Sequence, residues 1–321
     1  MVPNTPPPYD HPHVRSLLLQ ALEEDCATSW DASVLMTQPP RLGHGDVTAA
    51  CLVEPGGRLH GTVRAKAAGV LCGMPLWEMV LAEVGGDVVV DLLAADGDVV
   101  QPNDAILHLS GDAASILIAE RTALNCVQQL SGVATATARA VSLVAGYRCR
   151  IFDTRKTTPG QRYLEKYAVR CGGGANHRMG LYDQVLIKEN HIALMAKDQS
   201  QDLPAAQAVA RCRQRLGETA IIEVEIQDIE TLEPVIAAGA DVILLDNMDD
   251  AQVAAAVVKR DQLGCAPHAC SSSRRPVWLE ASGGITDQRL PTLAASGVER
   301  ISIGGLTHSA PALDLSLVCH P

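Results

Sequence analysis

The feature that most constrains this chain is a strict alternation of short apolar runs with helical ones across its second half. Six runs read as strands: Cys149–Thr154, Val185–Asn190, Ile221–Ile226, Val242–Asn247, Val277–Ser282 and Ile301–Gly304. Between them, roughly at 205–216, 229–238, 249–260 and 287–296, the apolar spacing is helical. Such alternation predicts parallel strands joined by right-handed helical crossovers. A further strand near Val169–Gly173 would make seven. Aromatic residues supply only 3% of the chain and Phe152 is its one phenylalanine, so the core must be packed from Ala, Val, Leu and Ile. That composition suits strands buried on both faces.

Nearly every predicted strand ends in a residue able to do chemistry: Arg155 and Lys156, Lys188 and Glu189, Glu225, Asp246 and Asn247, Ser282 and Gly283, and Gly304. In an α/β barrel the strand C-termini converge on one face, which carries the active site. An open doubly wound sheet would spread the same residues along a crevice, and stays as the alternative. Upstream, Thr62–Ala67, Val88–Leu93, Val99–Val100 and Ile106–Leu109 read as strands of a small mixed sheet, with a helix over Gly73–Val84. Helices are also expected at about 13–28 and from Ile116 to Ala145.

Composition narrows the partners. A net charge of −11 disfavours general nucleic-acid binding, which draws on clustered Lys and Arg. No apolar run is long enough for a bilayer, and Met1–Pro8 has neither the charged nor the apolar region of a secretory signal. It reads as a short disordered arm. Ten scattered cysteines without a CxxC pair are expected as free thiols in a reducing cytoplasm. Cys265-Ala-Pro-His268-Ala-Cys270 lacks a second ligand pair and is not read as a metal site.

Against that acidic background, residues 153–188 hold seven Lys or Arg and three Asp or Glu. Arg162, Lys166 and Arg170 are expected on the solvated face of a helix at 161–170. Arg155, Lys156, Arg178 and Lys188 stand at strand ends or in a Gly-rich turn and are candidates for gripping an anion. Guanidiniums pair with carboxylates, and lysine acts as a point charge for phosphate. Glu225 and Asp246 end consecutive strands and suit an Mg²⁺ that keeps its waters. Glu223 shares the side of Glu225 by the period of two, so pattern alone does not choose between them. Glu280-Ala-Ser282-Gly283-Gly284 and Ile301-Ser302-Ile-Gly304-Gly305 place glycine turns after the last two strands, where backbone amides can hold a phosphate. Arg121 falls between Leu117 and Leu124, inside the apolar stripe of its helix, and must snorkel, pair or cross a subunit boundary.

Taken in order, these stretches resemble the quinolinate phosphoribosyltransferases. The resemblance rests on Gly45-Asp46-Val-Thr48, Ala65-Lys-Ala-Ala-Gly69-Val-Leu-Cys-Gly73, Glu120-Arg-Thr-Ala-Leu-Asn125, Leu130-Ser-Gly-Val-Ala-Thr135, Asp153-Thr-Arg-Lys-Thr157, Asn176-His-Arg178, Ile187-Lys-Glu-Asn-His191, Leu245-Asp-Asn247, Glu280-Ala-Ser-Gly-Gly-Ile285 and Pro311-Ala-Leu-Asp314. It implies an incomplete, seven-stranded α/β barrel at 124–308 and a smaller N-terminal α/β sandwich domain at 1–123, joined by the tail 309–321. It implies conversion of quinolinate and phosphoribosyl pyrophosphate into nicotinate mononucleotide, pyrophosphate and CO₂ with Mg²⁺, a step of NAD biosynthesis. Arg155, His177, Arg178 and Lys188 are then the quinolinate grip, with Arg121 entering from a neighbouring subunit of a homo-oligomer. Lys156, Glu225 and Asp246 hold the pyrophosphate and metal, and Ser282, Gly283 and Gly304 the 5′-phosphate. Lys156, Lys188, Glu225 and Asp246 are the expected catalytic set. Spacing within the family favours Glu225 over Glu223.

Segments 29–44 and 261–276 look longer than usual for the family, and Pro102-Asn103-Asp104 stands where Pro-Gly-Asp is usual. Quinolinate carries two adjacent carboxylates, which explains the demand for arginine. Once its nitrogen is ribosylated, the pyridinium can absorb the electrons left by departing CO₂. His177 is open as an acid/base or as a neutral hydrogen-bond donor. A related phosphoribosyltransferase and a non-catalytic barrel are the competing readings.

Overall fold

A computed structural model describes residues 7–27, 30–35, 37, 42, 45–195, 203–269 and 275–320. The arm before Pro7, half of segment 29–44, and Cys270 with the residues to 274 lie outside the described residues. The chain divides into two compact units. One comprises 1–139, 156–173 and 305–321, the other 140–155 and 174–304.

The first unit holds β1 (Arg58–Ala65), β2 (Gly69–Val70), β3 (Val88–Leu92), β4 (Val99–Val100) and β5 (Ala105–Asp112). A helix at Leu76–Val84 buries Trp77, Val80, Leu81 and Val84, and the expected start at Gly73 is instead a turn with φ +101°. The long helix runs Ala113–Leu143 and another spans Arg162–Cys171.

The second unit contributes β6 (Arg150–Phe152), β7 (Val185–Ile187), β8 (Ile222–Ile226), β9 (Val242–Asp246), β10 (Trp278–Ser282) and β11 (Arg300–Ser302). These form one sheet in the order β6-β11-β10-β9-β8-β7, parallel throughout. The chain then closes on β12 (Leu315–His320), which pairs antiparallel with β1. The first unit's sheet therefore runs β12-β1-β5-β3, antiparallel rather than mixed, with β2 and β4 as a separate pair.

No strand forms at Val169–Gly173. Leu164, Ala168 and Val169 are buried at helical spacing, and the helix there ends at Cys171 before three glycines. What remains of a seventh strand is one parallel bridge from Ala175 to Phe152. The helix corrects a second expectation: Lys166 is 1% exposed, so that face is not wholly solvated.

The parallel sheet is curled. From Ala175 to β8 there are five strand spacings, about 24 Å in a flat sheet. Yet His177 Nε2 lies 3.0 Å from Glu223 Oε2 on β8. Only a sheet folded back on itself brings those two together.

Candidate active site

Parallel register lines up the strand ends. Ile187 is level with Val224, so Lys188 follows beside Glu225, and their side chains meet at Nζ–Oε2 2.5 Å. Asp246 is level with Ser282, Ser282 with Ser302, and Ser302 with Phe152. Glu225, Asp246 and Ser282 thus sit at the same edge, and Arg155, Lys188, Gly283 and Gly304 follow within three residues of a strand end. Side chains in register on adjacent strands share a face. Glu223 is therefore the deeper member of the pair on β8 and Glu225 the one at the rim. Glu223 is fully buried, whereas the Glu225 side chain is 11% exposed.

Beneath the rim lies a polar core that pattern alone did not announce. His177 Nε2 faces Glu223 Oε2 at 3.0 Å and Glu280 Oε1 at 3.6 Å, and Arg300 Nε stands 2.6 Å from Glu280 Oε2. Gln184 also donates to Glu223 at 2.5 Å, and the Arg300 guanidinium lies over the Phe152 ring at 4.2 Å. Burial disfavours charge on Glu223, but the hydrogen bond and charge of His177 outweigh it and hold that carboxyl below the usual range. Burial and the neighbouring Glu223 push Glu280 up. His177 is lowered by burial, yet the two carboxylates prevail and raise it. His177 Nδ1 accepts the Arg178 amide at 2.7 Å, so the ring fits best as the tautomer that donates from Nε2 to Glu223. Both ring nitrogens are committed within the protein.

Asp153 organises the turn that carries these groups. It is fully buried and accepts from the Asn176 amide side chain at 2.6 Å and the His177 backbone at 2.8 Å. Arg178 reaches the Gln184 carbonyl at 3.1 Å. Burial, and then the charge of Arg155, lower the Arg178 guanidinium. Two guanidiniums near enough to repel make a place that an anion would stabilise.

The other rim groups are held by short polar contacts. Asp246 accepts from Asn247 Nδ2 at 2.9 Å and from Gln227 at 3.3 Å. Asn247 has φ +55°, and its amide donates to the Ser282 carbonyl at 2.9 Å. Gly283, at φ +87°, packs against it so closely that a β-carbon would stand 2.1 Å from Asn247 Oδ1. Only glycine fits there.

Two expected site residues belong to the first unit. Lys156 is exposed, with its carbonyl accepting the Thr307 hydroxyl at 2.7 Å. Arg121 is exposed too, which corrects its placement inside the apolar stripe. Its i±4 neighbours, Leu117 and Asn125, are exposed as well, while Ala119, Thr122, Ala123 and Leu124 form the buried face. Arg121 opens instead onto a cavity of about 470 Å³ with Glu24, Asp25, Asn125 and Gln161 on its walls.

Comparison with known proteins identifies the family. The quinolinate phosphoribosyl transferase N-terminal domain matches residues 46–131, and the C-terminal domain of the same family matches 133–318. The chain belongs to the quinolinate phosphoribosyltransferase family. A probable nicotinate-nucleotide pyrophosphorylase (carboxylating) of Bacillus subtilis is 40% identical over 276 residues, 86% of this chain and 88% of the relative. The nicotinate-nucleotide pyrophosphorylase (carboxylating) of Mycobacterium leprae is 38% identical over 85% of this chain and 90% of its own length. The solved nicotinate-nucleotide pyrophosphorylase of Francisella tularensis superposes with a TM-score of 0.80 at 35% identity, covering 96% of both chains. A human nicotinic acid phosphoribosyltransferase, at 15% identity and a TM-score of 0.60, shares the fold.

In the sequence Asp153 and Glu280 stand out only as parts of motifs, and Arg300 belongs to none of them. Their signal was the period of two: Glu223 with Glu225, and Glu280 with Ser282, repeat a charged or polar group on one side of each strand. Which member lies deep depends on register. No helix of the described residues is long and apolar enough to cross a membrane. The nine described cysteines are all unpaired.

Proposed function

We propose that this protein is a quinolinate phosphoribosyltransferase, joining quinolinate to phosphoribosyl pyrophosphate and releasing nicotinate mononucleotide, pyrophosphate and CO₂. The observation that carries the reading is the alignment of Arg155, Arg178, Lys188, Glu225, Asp246 and the Gly283 turn at one edge of the parallel sheet, in a chain of this family. A purified-protein assay with both substrates should yield nicotinate mononucleotide and CO₂ in equal amounts. Formation of neither product would remove the proposal.

Arg155 and Arg178 bind the two carboxylates of quinolinate, and Lys188 adds a third positive charge beside them. Lys156, from the segment after β6, neutralises pyrophosphate. The turn at Ser282–Gly283 and the backbone at Gly304 hold the 5′-phosphate. Catalysis is then positioning and charge stabilisation, with no covalent nucleophile. His177 and Asp153 are positioning residues, because their polar atoms point at protein partners. Decarboxylation draws on the pyridinium formed at the ring nitrogen, which accepts the electron pair of the broken bond.

Glu225 and Asp246 offer hard oxygen donors at neighbouring strand ends, a set that fits Mg²⁺ completed by water and substrate phosphates. Bound there, the metal would neutralise charge on the leaving pyrophosphate. Removing divalent ions with EDTA should abolish turnover, and added Mg²⁺ should restore it. Gly283→Ala should raise the KM for phosphoribosyl pyrophosphate tenfold or more with little change for quinolinate, since the clash with Asn247 displaces the phosphate turn. Equal effects on both substrates would contradict the phosphate role.

We read the curled sheet, with Ala175 as the remnant of a seventh strand, as an incomplete barrel in a cytoplasmic homo-oligomer. Exposed Arg121 is the group we assign to a neighbouring subunit's site. Mixing inactive Arg121→Ala and Lys156→Ala chains should recover activity in mixed dimers, and no recovery in demonstrated mixed dimers would refute the sharing.

A further inference from the structure

In the first unit, Cys72, Asp96 and Cys171 bring a sulfur or carboxylate oxygen each within 4.8 Å of the others. Cys72 lies just after β2, and Ser131 of the long helix clamps its backbone. The Cys72 amide donates to Ser131 Oγ at 3.0 Å, and its carbonyl accepts that hydroxyl at 3.3 Å. Cys171 is the last residue of the helix Arg162–Cys171. The next residue, Gly172, packs so tightly that a β-carbon would stand 2.3 Å from the Ala134 carbonyl of the same long helix. Both sulfurs therefore hang from backbone anchored to one element. Cys72 is fully buried and Cys171 is half-buried, so only Cys171 can meet a small solute.

The carboxylate beside them is already saturated. Asp96 Oδ1 accepts the amides of Gly73 at 2.8 Å and Met74 at 2.9 Å, and Oδ2 accepts the Tyr9 hydroxyl. That makes the cluster a poor metal cradle and a good frame for two thiols. Cys171 accepts hydrogen bonds from the Cys72 thiol and, with burial opposing, from the Tyr167 hydroxyl, which hold it below the ordinary thiol range. Burial pushes Cys72 well above that range. A half-buried sulfur stabilised as thiolate, next to a buried thiol, is the arrangement of a reactive cysteine and its resolving partner.

We propose that Cys171 and Cys72 form a peroxide-sensitive dithiol that closes reversibly to a disulfide. The Cys171 thiolate attacks hydrogen peroxide, breaking the O–O bond and forming Cys171 sulfenic acid. The departing hydroxide takes a proton and leaves as water. Cys72 sulfur then attacks the sulfenic sulfur; the S–S bond forms, the S–O bond breaks, and the thiol proton leaves with the hydroxyl as a second water. The two sulfurs supply the two electrons that reduce the peroxide. Closure brings the sulfurs from within 4.8 Å to a bond of about 2.05 Å. Nothing in this chemistry depends on the reaction proposed above.

The test treats the reduced full-length protein with hydrogen peroxide, blocks free thiols and maps the peptides. A Cys72–Cys171 cross-link that disappears with dithiothreitol is expected. In Cys72→Ser, dimedone labelling of Cys171 should rise at least tenfold over the unsubstituted protein, because the sulfenic acid has lost its partner. Should that variant fail to fold, the unsubstituted protein supplies the second measurement. Between pH 8.0 and 6.5 an ordinary thiol, pKa about 8.5, loses about twentyfold in alkylation rate, and Cys171 should lose less than fivefold. Oxidation of exposed Cys51 without the cross-link, a twentyfold loss at Cys171, or one equivalent of zinc bound through both thiols would each overturn the proposal.

Discussion

Replacing Lys188 by methionine is expected to lower turnover of quinolinate by two to three orders of magnitude while leaving the protein folded. Lys188 Nζ lies 2.5 Å from Glu225 Oε2 at the rim, and its side chain is 47% exposed. An ion pair this accessible contributes little to stability, roughly 0–1 kcal/mol. Methionine keeps the length of the aliphatic stem and removes the charge. Loss of one preorganised group that stabilises developing charge commonly costs about 10²–10³ in rate. Single-turnover measurement at saturating substrates, with thermal denaturation of the same sample, reads both halves. A rate within threefold of the original would take Lys188 out of the site.

The opposite outcome is expected at the other end of the strands. Arg260 is 2% exposed; it pairs with Glu299 at 2.9 Å and 3.2 Å and donates to the Val277 carbonyl at 2.7 Å. Glu299 also accepts the Leu279 amide at 3.0 Å, so the pair ties the helix Asp250–Gln262 to the entry of β10 and β11. Arg260→Met leaves a buried carboxylate without its cation, and such losses cost about 3–5 kcal/mol. The urea midpoint should fall accordingly, while turnover per folded molecule stays near its original value. Replacing Glu299 by methionine as well should recover part of the loss, because the uncompensated charge goes with it. A midpoint unchanged in Arg260→Met would show that the pair is dispensable.

Much of this was legible from residue order. Five of the six parallel strands fall within the predicted runs, β11 begins one residue earlier at Arg300, and the residues that end them gather at one edge because parallel strands must present their C-termini together. Helical spacing also located the long helix to within three residues at its start. The misses share one physical cause. Arg121 looked buried because Leu117 and Leu124 flank it, but a helix face is defined by what packs on it, and among the described residues the row through 117, 121 and 125 is exposed. Lys166 looked solvated because it is charged, yet the helix that carries it is enclosed on that side.

The interior cluster tells the same story. Glutamates at 223 and 225 are equivalent in pattern, and local sequence has no means to rank them. Register with β7 and β9 decides that one reaches the rim beside Lys188 while the other faces His177 in the core. By itself, then, the sequence determined the alternating architecture, the family and the inventory of charged groups at the strand ends, because periodicity and motif order are local properties. Only the tertiary structure decided depth, partner and tautomer. Those depend on how far a sheet curls and on which strands meet across it, distances that no spacing along the chain encodes.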